Sequence, residues 1–343
     1  MLNMPPLVDQ TAPLHHGGRL RAAAMQFAIP LENWLDLSTG INPNGWPIKT
    51  PPAATWSRLP DDDDELNTTA CRYYDADSLL TVAGSQAAIQ TLPQLRASSR
   101  VSVLSPGYAE HAHAWKRNNH WVSPIAADQI ETALPDTDVL IIIHPNNPTG
   151  AVFPVAQLLD WHAQLAARNG WLIVDEAFMD ATPEFSIASQ SSKPGLIVLR
   201  SLGKFFGLAG ARVGFVCAHP ELLTALNNLL GPWSVNAPAR WIAMQALQDI
   251  HWQNETCLQL LNASSRLRTL LTHHRLTPSG GCSLFQWTLS QHATHLFEKL
   301  ASQGILVRLF NNPPSLRFGL PGNHLDWQRL DSALTDYRIS VTD

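Results

Sequence analysis

Between Leu79 and Cys217 short apolar runs recur: LLTVA, VSVL, VLIII, WLIV, LIVL and RVGFVC, each followed by a turn or an amphipathic stretch. This alternation predicts strands separated by helices, the pattern of a mostly parallel sheet covered on both faces. One helix is expected over Pro154 to Arg168, where Leu158, Leu159, Trp161, His162 and Leu165 lie close to helical spacing and Asn169-Gly170 supplies a stop. A long helical stretch is expected from Pro238 to His273. Beyond it, strands FQWTL, ILVRLF and SLRFGL with helices near 293–302 and 325–337 predict a smaller α+β unit. The segment Gly40 to Pro52 and the acidic run Asp61 to Glu65 read as solvated loops.

With 343 residues, 45% of them hydrophobic, and a formal charge of -5, the chain can bury a large core and reach two domains. Its basic residues are scattered and form no run, which argues against a nucleic-acid or membrane partner. The amino-terminal stretch MLNMPPLVDQTAPLHHGG lacks the basic start and apolar core of a signal peptide, and Val139 to Ile143 is far too short to span a bilayer, so a cytoplasmic location is expected. Cys71, Cys217, Cys257 and Cys282 never fall in a CxxC pair, and the 14 histidines include no HExxH set. No metal site and no disulfide framework is expected.

Four segments carry residues suited to chemistry. LRSLGKFFGLAGARVGFV presents Ser201, Lys204 and Arg212 around a strand exit. A lysine there can condense with an aldehyde, while the serine and arginine offer donors to a phosphate; a surface lysine followed by turn glycines also fits. LTVAGSQAAIQTL runs a strand into Gly84-Ser85-Gln86 and a helix, either an anion seat or a plain turn with Ser85 as cap. In WLIVDEAFMD, Asp175 ends an apolar strand, where a carboxylate can keep a heteroaromatic nitrogen protonated or simply cap the turn. In HPNNPTG, Asn147 can hydrogen-bond a ring oxygen, and Pro148-Thr149-Gly150 makes a rigid turn. Each signal is weak alone, but all four end apolar strands of one presumed sheet, where such folds bind ligands.

In their order these segments resemble the fold-type I pyridoxal-phosphate enzymes, over nearly the whole chain. The resemblance implies an α/β aspartate-aminotransferase-like fold: a large domain over residues 46–236 with a mostly parallel seven-stranded sheet, and a smaller α+β domain with an amino-terminal arm over 1–45 and 237–343. It also implies pyridoxal 5'-phosphate as cofactor, with Gly84, Ser85, Gln86, Ser201 and Arg212 on its phosphate, Asp175 on its pyridinium and Asn147 on its ring oxygen. Lys204 becomes the lysine that holds the cofactor as a Schiff base, and Tyr108, in SPGYAEH, the aromatic residue stacked on the ring.

A narrower resemblance is to the threonine-phosphate decarboxylases of cobalamin biosynthesis. It rests on His16-Gly17-Gly18, DLSTGINPNGWP from Asp36 to Pro47, DEAF from Asp175 to Phe178, PWSVN from Pro232 to Asn236, and Arg308 and Arg317. It implies a small phosphorylated amino-acid substrate, L-threonine O-3-phosphate, whose anionic groups fall to His16, Gly17, Gly18, Asn147, Arg308 and Arg317, and a homodimeric enzyme. Phe178 stands where many aminotransferases carry a tyrosine, in keeping with the decarboxylases. Leu59 stands where related enzymes offer a tyrosine to the neighbouring subunit's cofactor phosphate, and it cannot make that contact. Arg19 replaces a common asparagine. A histidinol-phosphate-type aminotransferase is the competing reading, since it would use the same Lys204, Asp175 and arginines.

Overall fold

The computed structural model describes residues 16–342. Residues 1–15, most of the amino-terminal stretch MLNMPPLVDQTAPLHHGG, lie outside them. The chain divides into two compact units. The first comprises Trp46–Asn147 and Val152–His251; the second comprises residues 16–45, Pro148–Ala151 and 252–342.

A seven-stranded sheet forms the centre of the first unit. Its strands lie in the order Leu79–Val82, Gly214–Ala218, Leu196–Ser201, Trp171–Asp175, Val139–Ile143, Arg100–Leu104 and Trp121–Ile125. Gly214–Ala218 runs antiparallel to both its neighbours, and the other pairings are parallel. The α/β architecture is therefore the one expected, mostly parallel and seven-stranded. Six of the strands coincide with the apolar runs. The seventh, Trp121–Ile125, has no such run: it pairs only with Arg100–Leu104, contains Pro124, and buries only Ile125, as an edge strand tolerates. Val103, Ile141, Ile173, Leu199 and Val216 pack with Ile89, Trp115 and Leu226 of the covering helices. Each such aliphatic side chain removed from water stabilises the fold by about 1.5–3 kcal/mol.

The strand directions put the chemistry at one end of the sheet. Parallel strands ending at Val82, Leu104, Ile143, Asp175 and Ser201 deliver the segments that follow them to the same edge. The antiparallel Gly214–Ala218 delivers what precedes it, so Arg212 joins them.

The expected helix near 154–168 forms as Val155–Ala166, with Asn169 in the left-handed region after its end. The long helix expected over 238–273 is two helices, Ala237–Gln248 and Ile250–His273, separated at Asp249. Asp249 leaves helical geometry, and its carboxylate accepts the indole N–H of Trp46 at 3.0 Å. The first of these helices, beyond the boundary expected at residue 236, clusters with the first unit. Its Arg240 is buried and bonded to Asp64 (2.6 and 2.8 Å) and Asp62 (3.1 Å). The acidic run is thus anchored at two of its carboxylates and is not merely a solvated loop. Likewise Gly40, Asn42 and Trp46 are buried within the 40–52 segment read as solvated, where Trp46 N–H also donates to the Phe206 carbonyl at 2.8 Å.

The second unit carries a four-stranded antiparallel sheet ordered Arg308–Asn311, Pro314–Gly319, Phe285–Leu289, Gly280–Cys282, together with helices Ala293–Ser302 and His324–Thr342. The run ILVRLF serves two pairings. Ile305–Leu306 lies parallel to Leu35–Asp36, whereas Arg308–Asn311 joins the sheet. No helix among the described residues is long and apolar enough to cross a membrane. Among the same residues no group of three or more His, Cys, Asp or Glu is arranged to hold a metal ion.

Candidate active site

At the carboxyl edge of the large sheet, Gly84, Ser85, Gln86, Tyr108, Asn147, Asp175, Ser201, Lys204 and Arg212 line one cavity of about 160 Å³, together with Ile143, Ala177, Phe178, Gly203 and Ala209. All nine residues expected at the cofactor from the sequence are therefore brought together, from segments separated by more than a hundred positions.

Lys204 lies just past the strand Leu196–Ser201, and its loop is pinned by the next two residues. Phe205 and Phe206 are fully buried, their rings edge to face at 5.1 Å, so the backbone at Lys204 is anchored while its amine stays in the cavity wall. The Lys204 Nζ sits 5.2 Å from the centre of the Phe178 ring, a cation–π distance. A phenylalanine here packs against the lysine without offering it a hydroxyl.

Gly84, Ser85, Gln86, Ser201 and Arg212, the residues expected at a phosphate, line this cavity together. Gly84 has φ of +73°, and a side chain there would bring a Cβ to 2.7 Å from Arg212 Nη2, so only glycine lets the guanidinium close over this turn. Arg212 itself has φ of +54°, a strained setting for a non-glycine residue that costs on the order of 1–3 kcal/mol. Its Nη1 donates to the Ala209 carbonyl at 3.0 Å, which fixes the head group. The helix Ser85–Thr91 spans only seven residues, so the donors at this turn come from individual N–H groups and Arg212 more than from a long helix dipole. Gln86 spends its side chain elsewhere. Its amide nitrogen donates to Glu110 at 2.8 Å, and its carbonyl oxygen accepts from the Tyr108 hydroxyl at 3.2 Å.

Asp175 is buried at the end of its strand, and its two oxygens are held separately. Oδ1 accepts the Ala177 N–H at 3.1 Å, and Oδ2 lies 2.8 Å from Nε2 of His111. His111 is as buried as the aspartate and was not singled out from the sequence. It sits three residues after Tyr108 at the start of the helix Ala109–Arg117, so helical spacing puts the two on one side. That adjacency was the available signal. Tyr108 holds its phenolic proton strongly: burial, then Glu110 and Asp175, push it up to about 12 against the opposing pull of Arg212. At neutral pH its hydroxyl is a donor, and Gln86 receives it.

Beneath the exits of these strands lies a buried ion network. Arg200, immediately before Ser201, bonds Glu176, immediately after Asp175, at 2.5 Å, and Asp180 at 3.0 Å. Burial works to lower the proton affinity of Arg200, but Asp180 and Glu176 outweigh it and raise it. The pairs tie the two adjacent strand ends that bear Asp175 and Lys204.

The remaining expected residues, His16, Gly17, Gly18, Arg308 and Arg317, belong to the second unit. Arg308 and Arg317 are directly opposite each other in the Arg308–Asn311 and Pro314–Gly319 pairing. Arg317 is 4% exposed, lies 5.0 Å from the Phe285 ring centre, and donates from Nη2 to the Ser38 carbonyl at 2.5 Å. Burial and then the charge of Arg308 push it down to about 10, and Arg308 is lowered by burial alone. Both guanidinium groups remain charged at neutral pH. Two cations held this close suit a ligand with more than one negative charge. Gly18 N–H donates to the Ser38 hydroxyl at 2.7 Å, so the HGG segment and Arg317 contact the same residue.

Residues 34–334 match the family of aminotransferases of class I and II. Threonine-phosphate decarboxylase from Pseudomonas aeruginosa is 54% identical over 327 residues, covering 95% of this chain and 98% of the relative. Threonine-phosphate decarboxylase from a Sinorhizobium species is 38% identical, covering 94% and 98%. Among solved structures, histidinol-phosphate aminotransferase from Sinorhizobium meliloti in complex with pyridoxal-5'-phosphate has a TM-score of 0.81 at 20% identity and covers 99% of each chain. That likeness shares the fold, while the high-identity relatives share the sequence throughout. The chain belongs to the class I and II aminotransferase family and, within it, to the threonine-phosphate decarboxylases.

Proposed function

We propose that this protein is a pyridoxal-phosphate-dependent carboxy-lyase that converts L-threonine O-3-phosphate to (R)-1-amino-2-propanol O-2-phosphate and carbon dioxide, supplying the aminopropanol linker of cobalamin. The observation that carries the reading is a cavity lined jointly by Lys204, Asp175, Asn147, Ser201 and Arg212, in a chain 54% identical over nearly its full length to a protein named for this activity.

The residues present fit the cofactor. Gly84 is a cradle that a Cβ would fill against Arg212, and the seat there combines backbone N–H groups, Ser201 and a guanidinium, the donor set that a phosphate monoester needs. Bound there, pyridoxal phosphate supplies an electron sink for the pair released at the substrate's α-carbon. Asp175, steadied by His111 and Ala177, would hold a proton on the ring nitrogen. Asn147 would serve the ring oxygen, and Tyr108 would cover the ring. Lys204, whose side chain lines the cavity, would be the residue that holds the cofactor covalently, and its amine would be the group that later releases the product. In our reading His16, Gly17, Gly18, Arg308 and Arg317 grip the substrate's carboxylate and phosphate. Holding both anionic ends would fix the orientation of the substrate's α-carbon, and that orientation would select loss of carbon dioxide over proton removal. The α-carbon gains one proton for the carbon dioxide it loses.

We further propose that the protein works in the cytoplasm as a homodimer. Light scattering on the purified protein tests the dimer, and a fully active monomer would sink it. The function is tested by incubating cofactor-loaded protein with L-threonine O-3-phosphate and no oxo acid. Carbon dioxide and aminopropanol phosphate in equal amounts are expected. If no carbon dioxide forms, but amino groups pass from histidinol phosphate once 2-oxoglutarate is supplied, the protein is the aminotransferase instead.

A further inference from the structure

Ser38 is 1% exposed and uses nearly every polar atom it has. Its hydroxyl donates to Asp36 Oδ1 at 2.6 Å and accepts the Gly18 N–H at 2.7 Å, and its own N–H donates to the same Asp36 oxygen at 2.8 Å. Its carbonyl accepts Nη2 of Arg317. The backbone on either side of it is fixed as well. Leu37 N–H donates to the Leu306 carbonyl at 2.7 Å, two residues before Arg308, and the Leu37 carbonyl accepts Gly319 N–H at 2.7 Å, two residues after Arg317. Gly17 packs so closely that a Cβ there would run into the Ser38 carbonyl, which only glycine avoids. The HGG segment and Arg317 are therefore both held by Ser38, and its neighbour Leu37 fixes the backbone two residues from Arg308 and two from Arg317. The Asp36 carboxylate draws on the Ser38 hydroxyl proton and makes that oxygen a better acceptor for Gly18, since linked hydrogen bonds strengthen one another.

We propose that Ser38 is a positioning residue that sets the distance between the HGG segment and Arg317, so that the protein grips a small ligand bearing a phosphate monoester and a carboxylate and rejects the unphosphorylated amino acid. Ser38 acts through Gly18 and Arg317 without itself touching the ligand. The proposal rests on the reading of these segments as the substrate's anion clamps.

The test compares wild-type holoenzyme with Ser38→Ala, using inorganic phosphate as probe and carbon dioxide release as readout. Losing both hydrogen bonds of the Ser38 hydroxyl, to Asp36 and from Gly18, is expected to weaken inhibition by phosphate, and to raise KM for L-threonine O-3-phosphate, by about tenfold or more. The value of kcat and the visible absorption of the bound cofactor are expected to stay near wild type, and Ser38→Thr, which keeps the hydroxyl, to recover part of the loss. A merely structural role would lower Tm and leave the preference for phosphorylated over unphosphorylated threonine unchanged; that result overturns the proposal. If Ser38→Ala does not fold, Asp36→Asn, which keeps the shape and weakens the same link, decides in the same assays by the same criteria. Should wild type release no carbon dioxide, the decarboxylase reading falls, and phosphate binding to the holoenzyme, followed by its cofactor absorption, still judges Ser38: equal affinities in wild type and variant, or no binding at all, overturn it.

Discussion

His111 and Asp175 are 64 positions apart in sequence and 2.8 Å apart in space, both almost wholly screened from water. A buried carboxylate that loses one of its partners bears the desolvation cost of an unsatisfied oxygen, about 1–3 kcal/mol or more. Replacing His111 with Phe is therefore expected to weaken retention of the cofactor by about tenfold or more, whereas His111→Gln, which can still donate, keeps most of it. Equilibrium dialysis against free cofactor measures both, and equal retention by wild type and the Phe variant would remove His111 from the site. The strand ending in Asp175 could be read in the sequence because WLIV is apolar throughout. The identity of its partner could not, because no local pattern says which helix covers a strand end.

Elements are joined by a few long-range polar bonds whose strength can be tested. Arg240 on the helix Ala237–Gln248 is buried, with Asp64 and Asp62 about 176 positions away. Asp64 is the better shielded acid, and changing it to Ala leaves the guanidinium with the exposed Asp62 alone. Because Asp64 is itself about one-third exposed, the expected cost is nearer 2 kcal/mol than the full value for a dry pair, read as a shift in urea midpoint with unchanged slope. His144 ties the end of the strand Val139–Ile143 to the following segment, its Nε2 accepting the Phe153 N–H at 2.9 Å. Burial pushes it down to about 4. The folded protein thus binds fewer protons there than the unfolded chain between roughly pH 4 and 6.5, so its stability must fall as pH drops through that window, by on the order of 3 kcal/mol in full. His144→Gln can accept the same hydrogen bond without titrating. The acid-induced loss is expected to shrink in that variant, and denaturant melts at pH 7 and pH 4.5 that lose equal stability in both proteins would rule the mechanism out. The break at Asp249 is another outcome set by distant contacts. No Gly or Pro interrupts LQDIHW, and the carboxylate that accepts Trp46 stands where the helical geometry stops.

For the molecule as a whole, the fold and its ligand are expected to be coupled. A cofactor that binds only the folded chain adds about 2.7 kcal/mol of stability at one hundred times its Kd, so stripping pyridoxal phosphate should lower Tm by several degrees, and its return should restore it. Lys204→Ala is expected to lose most of that increment. Calorimetry of the stripped, reloaded and variant proteins measures it, and identical curves would place the cofactor outside the folded core. Sequence alone determined the buried strands, because parallel strands covered on both faces must be apolar nearly throughout, and the glycine and aspartate motifs at their ends, because strand exits and close backbone approach restrict residue choice locally. It left Trp121–Ile125 unmarked, since an edge strand with a proline and exposed side chains needs no apolar run. Only the tertiary structure decided that His111 meets Asp175, that Gln86 turns to Glu110, that the acidic run is anchored by Arg240, and that Ser38 joins the HGG segment to Arg317. Those are contacts between segments far apart in the chain, fixed by packing and the need to satisfy buried polar groups, and neither leaves a periodic trace in the sequence.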